Sequence, residues 1–137
     1  MSLLARLAKT TDSSSALGLL VVRLWFGLVL AINHGWPKMT TLEKLTASVD
    51  KLGFPLPTVF AFGAAASELV GGLLIAVGLL TRPAAVAVVV TMLVAAFVVH
   101  SGDPFMKKEF ALCYAAAALA LLVSGPGKLS LDVRLSK

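Results

Sequence analysis

Glu68 and Arg23 each stand inside a run of apolar residues. An ionisable side chain at the centre of a membrane helix costs about 2.5–3.5 kcal/mol, so it marks a functional site by default. The two histidines of the chain, His34 and His100, lie at the ends of apolar runs. Glu109 opens the last run, and Cys113 follows four residues later on the same helical face. Asn33, Trp36 and Lys38 flank His34. A histidine and a carboxyl surrounded by hydrocarbon can both exchange protons near neutral pH. Together they suit a proton-coupled pocket for a quinone headgroup or another small redox-active amphiphile. A second chemistry is metal binding. His34, His100, Glu109 and Cys113 are ligand types for zinc or copper, although no two share a close metal-ligand spacing. The third reading is structural: Arg23 snorkels or pairs with Glu68, while His100 and Glu109 cap helix ends. The residues alone leave all three open.

Other chemistry is excluded by what the sequence lacks. It contains no phosphate-binding glycine loop, no Cys-x-x-Cys, no haem-attachment motif and no nucleophile elbow. A self-contained hydrolase or nucleotide enzyme is not expected, nor is a covalent cofactor. Cys113 is the single cysteine and has no internal disulfide partner. It reads as a small packing residue. Trp25 and Trp36 read as core and interfacial-belt residues.

The elements that must carry these residues follow from composition. Of 137 residues, 58% are hydrophobic and only 14% charged. A soluble domain is nearer one quarter charged, so an integral membrane protein is expected. The net charge of +5 does not indicate nucleic acid, because the bases sit at the ends of apolar runs rather than in a stripe. Arg6 and Lys9 precede a first run that is too long for a signal peptide, so it reads as a retained span. Four spans are predicted, at about 16–35, 58–80, 83–100 and 108–124. All must be helices, since an open sheet edge is not tolerated in lipid. The fold class is therefore all-α: a membrane four-helix bundle in one domain, with its close faces built on alanine and glycine. Such faces suit a homodimer as well as a monomer. Between the first two spans, Met39, Leu42, Leu45, Val49 and Leu52 recur at helical spacing. They predict a short amphipathic helix on the membrane surface. In an up-down bundle the end of span one, the start of span two, the end of span three and the start of span four share one side. His34, Trp36, Lys38, His100, Glu109 and Cys113 fall on that side, with Glu68 deeper as the floor of a pocket.

The chain closes with Gly125-Pro126-Gly127-Lys128-Leu129-Ser130-Leu131-Asp132. The glycines and proline stop the last helix. Ser130 and Asp132 can then bond free backbone groups, or Arg82 in the neighbouring reversal, as a structural lock. This ending resembles the carboxyl-terminal signature of the DoxX family of small membrane proteins. Glu68-Leu69-Val70-Gly71-Gly72-Leu73-Leu74, continuing to Gly78-Leu79-Leu80-Thr81-Arg82, is similar to the core of that family. Arg23, the His34–Lys38 segment and Gly53-Phe54-Pro55 fit as well, so the likeness spans about residues 16–132. The resemblance implies four membrane helices with both termini cytoplasmic, in a bacterial inner membrane. Charge counting favours the same orientation only through the first-span flank and the basic tail. Some members of the family are subunits of a thiosulfate:quinone oxidoreductase. A mycobacterial member is linked to a membrane complex with a sulfurtransferase and a superoxide dismutase. The resemblance thus implies a redox role beside partner proteins, with a quinone as the ligand. A non-catalytic scaffold for soluble redox partners is the alternative, and a small-solute or metal transporter a third.

Overall fold

The structure is a computed structural model and describes residues 11–137. Arg6 and Lys9 lie outside the described residues. The described chain is helical throughout, without a strand. Helix α1 spans Asp12–Thr40, α2 Leu42–Lys51, α3 Pro57–Val77, α4 Thr81–Val99, α5 Phe105–Ser124 and α6 Leu131–Leu135. Helices α1, α3 and α4 are long and apolar enough to cross a membrane. Helix α5 carries Lys107, Lys108 and Glu109 in its first turns, so its apolar part is confined to 110–123.

Local chemistry sets the helix ends. Thr11 and Ser14 cap α1 reciprocally: each hydroxyl accepts from the other residue's N–H, at 3.1 and 3.0 Å. Pro57 opens α3, where its missing N–H costs nothing. Gly78, at φ 72°, ends α3 in the left-handed region, and the Leu79 N–H reaches back to the Leu74 carbonyl at 2.9 Å.

Helix α1 is longer than the predicted first span because it continues through Pro37. A π-helical stretch, Leu30–Gly35, precedes that proline, and the Trp36 N–H bonds the Ala31 carbonyl. A proline inside a helix leaves the carbonyl four residues earlier without its donor, and the wider π turn absorbs the disruption. A second π stretch, Ala95–Val99, ends α4.

The centre of the molecule is the packing of α1 on α3. Gly27, Ala31 and Gly35 of α1 lie against Leu69, Gly72 and Ala76 of α3, running antiparallel. A Cβ on Gly27 would come within 2.5 Å of the Gly72 carbonyl oxygen, so the two backbones touch. Helix α3 also packs on α2 and α4, α4 on α5, and α5 on α1. Small and medium residues such as Ala85, Val88, Ala118 and Leu121 fill the space between α4 and α5. Large apolar side chains point outward instead: Trp25, Phe97, Phe110 and Val123 are all more than half exposed. This is the inverse of a water-soluble surface.

Candidate functional site

Two buried ionic assemblies occupy opposite ends of the α1–α3 pair. At one end lies Glu68, fully buried on α3. Its Oε1 accepts a hydrogen bond from Lys38 Nζ at 2.5 Å, and Lys38 is itself about one third exposed. The α1–α3 register explains the pairing. Gly35 sits directly against the Glu68–Leu69 backbone, and Lys38 follows one helical turn later. The other carboxylate oxygen, Glu68 Oε2, is buried and has no partner among the described residues.

Glu68 and Lys38 line a cavity of about 400 Å³ between α2, α3 and α4. Its walls are mostly apolar: Leu45 and Val49 from α2, Phe54 from the following turn, Phe60 from α3, and Val90 and Val94 from α4. Phe54 and Phe60 pack with ring centroids 5.2 Å apart. The polar wall groups other than the ion pair are Thr91 and His100. Thr91 Oγ1 lies 2.6 Å from Ser67 Oγ, whose own proton goes to the Ala64 carbonyl. Thr91 is therefore the donor of that pair. His100 Nδ1 lies 2.7 Å from Asp103 Oδ2, and Lys107 holds the other Asp103 oxygen at 3.3 Å. The hydrogen bond from His100, then that from Lys107, holds the Asp103 carboxyl below its ordinary range. Asp103 is thus a carboxylate that accepts from the Nδ1–H of the imidazole.

The structure brings together Glu68, Lys38 and His100 of the residues singled out in the sequence. It leaves out the rest. His34 packs edge-on against Tyr114 of α5, with centroids 5.4 Å apart, and the same ring meets Phe26. Trp36, Glu109 and Cys113 are exposed. The four-residue metal set is accordingly dispersed, and among the described residues no three His, Cys, Asp or Glu side chains are gathered to hold a metal. Asp103, Ser67, Thr91 and Phe54 are parts of the site that the sequence reading did not select. No local sequence signal pairs Lys38 with Glu68, because Pro37 stands where a helix ordinarily stops and only the structure carries α1 through it.

Arg23 does not reach Glu68. It lies twelve residues before Gly35 in the register, about 18 Å away at 1.5 Å per residue. It belongs to the opposite assembly. Its buried guanidinium lies against Gly78, and Nη2 donates to the Leu129 carbonyl at 2.6 Å. Asp132 completes this end. Its carboxylate accepts from the N–H groups of Leu80 and Thr81 at 2.7 and 2.9 Å, and its own N–H bonds the Gly78 carbonyl at 2.8 Å. An aspartate from the tail thus caps α4, next to Leu80 at φ 47°. Ser130 is buried and donates to the Gly127 carbonyl at 2.7 Å. Arg82 is exposed and borders Gly125 rather than Asp132. Glycine is required at 78: a Cβ there would fall inside the Arg23 guanidinium.

Burial pulls the Asp132 carboxyl upward, but the hydrogen bonds of Thr81 and Leu80 and the Arg23 charge outweigh it and leave it below its ordinary value. A depressed carboxylate contributes stability above its unfolded value, about pH 3.9, and loses it as pH falls through the folded value. Asp132→Ala is therefore expected to cost about 1–2 kcal/mol at neutral pH and to flatten acid unfolding below about pH 4. Thermal midpoints in detergent across pH 3–7 measure both effects; an unchanged neutral midpoint would show that the cap is dispensable.

Comparison with known proteins bears on both ends. The DoxX family model matches residues 18–101. Inner membrane protein YphA of Escherichia coli (strain K12) is 33% identical over 128 residues, covering 85% of this chain and 89% of YphA. Inner membrane protein YqjF of the same organism is 33% identical over 130 residues, covering 88% of this chain and 93% of YqjF. The protein named putative oxidoreductase CatD of Bacillus subtilis (strain 168) is 31% identical over 122 residues, covering 88% of this chain and 89% of CatD. No solved structure matches. With apolar helices of spanning length, a matched core that holds the Glu68 cavity and relatives of the inner membrane, the chain belongs to the DoxX family of membrane proteins.

Proposed function

We propose that this chain is the membrane subunit of a redox system and binds a quinone, or a similar small amphiphile, in the cavity at Glu68. The observation that carries the reading is the buried carboxylate itself. One oxygen is held by Lys38, the other has no donor among the described residues, and the side chain lines a cavity whose remaining wall is largely apolar. Ligand sites of this size and lining, with few convergent polar groups, are the ordinary form of a small-molecule pocket. The relative named putative oxidoreductase CatD supports the redox setting. Electrons, in this reading, come from a partner protein. In this reading α5 also crosses the bilayer, making a four-helix bundle, with Lys107 and Lys108 at the headgroups. Helix α2 lies in the interface as a lid of the cavity, and both termini are cytoplasmic.

Gly63 provides a clean test. It lines the cavity, and a Cβ there meets nothing within 4 Å. Gly63→Trp should therefore fill the cavity without disturbing α3. Protein purified in mild detergent is extracted with organic solvent and analysed by mass spectrometry. A quinone is expected with the wild type and not with Gly63→Trp. A wild type free of any quinone overturns the reading and favours a scaffold, whose partners would be lost on altering α2 or residues 128–137.

A further inference from the structure

We infer that the cavity selects the reduced, hydroxyl-bearing form of its ligand, a quinol, over the quinone; the inference rests on the pocket reading above. Two residues of the cavity wall carry acceptor atoms that no donor among the described residues occupies. Glu68 Oε2 is a buried carboxylate oxygen with no donor among the described residues. His100 gives its Nδ1–H to the Asp103 carboxylate, which leaves Nε2 with a lone pair whenever the ring carries one proton. The Thr91 proton is committed to Ser67, whose proton is committed to the Ala64 carbonyl. Lys38 is the remaining strong donor, and it already holds Glu68 Oε1.

A quinone offers acceptors alone. One carbonyl can take a hydrogen bond from Lys38, but Glu68 Oε2 stays unpaired and faces lone pairs. A quinol hydroxyl is donor and acceptor at once. It can donate to Oε2 while accepting from Lys38 Nζ, and a second hydroxyl can donate to a lone pair such as that of His100 Nε2. The apolar walls of α2 and α4 then take the ring and tail. A hydrogen bond to a charged group contributes enough to change affinity by about tenfold or more.

The test is anaerobic equilibrium binding of decyl-benzoquinol and of its oxidised quinone to the purified full chain in detergent. The quinol is expected to bind at least about tenfold more tightly to the wild type. In Glu68→Gln the amide offers a donor as well as an acceptor, so the preference should shrink to about threefold or less. The wild-type ratio decides the matter even if that variant misfolds. A Lys38→Met, Glu68→Leu double variant, with no buried charge to strand, should likewise lose the preference. Equal binding of both forms, or tighter quinone binding, overturns the inference and leaves the pocket standing. Binding of neither form overturns the pocket as well.

Discussion

Lys38→Met is expected to lower stability in detergent by about 3 kcal/mol, and the double variant Lys38→Met, Glu68→Leu to recover most of that loss. An exposed lysine paired with an exposed acid contributes only about 0–1 kcal/mol. The difference here is the partner. Glu68 has no exposed surface, and Lys38 is its only ionic contact among the described residues. Without the ammonium, the carboxylate must remain charged in a low-dielectric interior or bind a proton, and each alternative is costly. Because Lys38 is about one third exposed, the effect falls at the lower end of the range for buried pairs. Removing both charges removes the problem, since an apolar pair of similar volume replaces a buried ion pair with little loss. Unfolding midpoints of the two single variants and the double variant give the coupling energy directly. Additive losses would show that the two side chains do not depend on each other. The double variant also separates stability from selectivity: it should fold and yet lose the preference for the quinol.

Much of this was legible in the sequence. The apolar runs with their sparse charges announced membrane helices, and the alternation of chain direction placed His100 and Lys38 at one end with Glu68 below them. What the sequence hid was the depth scale. Ending the first span near residue 35 left a pairing of Arg23 with Glu68 open, whereas a π turn carries the helix on through Pro37. Once α1 runs to Thr40, Lys38 meets Glu68 and Arg23 falls to the opposite end. The lateral order of the helices was equally hidden. Nothing in the spacing of His34, Glu109 and Cys113 told which face each presents, and only the packing of α1 and α5 turns His34 to Tyr114. The terminal signature was legible in kind but not in detail. Asp132 bonds backbone groups across a reversal 51 residues away, a link that no local pattern encodes.

Gly35→Ala is expected to destabilise the protein by about 2–3 kcal/mol and to empty the cavity, although it adds a single methyl group. In an open stretch of helix the same exchange stabilises, by about 0.5–1 kcal/mol. At Gly35 the new Cβ would lie 2.3 Å from the Leu69 nitrogen and 2.5 Å from its Cα. These are backbone atoms of a continuous helix and cannot rotate aside, so α1 must lift away from α3. Gly27 and Gly72 would pull in the same direction, because they touch each other's backbones further along the seam. The separation reaches the site at once. Lys38 lies one turn beyond Gly35, and its bond to Glu68 depends on that approach. Gly18 is the internal control: it lies on the same helix, a Cβ there meets nothing within 4 Å, and its φ is not in the left-handed region. Thermal midpoints and extracted ligand, compared between Gly18→Ala and Gly35→Ala, isolate the contact from helix propensity. If both variants gain stability alike, α1 and α3 do not meet in this register, and the pairing of Lys38 with Glu68 loses its structural basis.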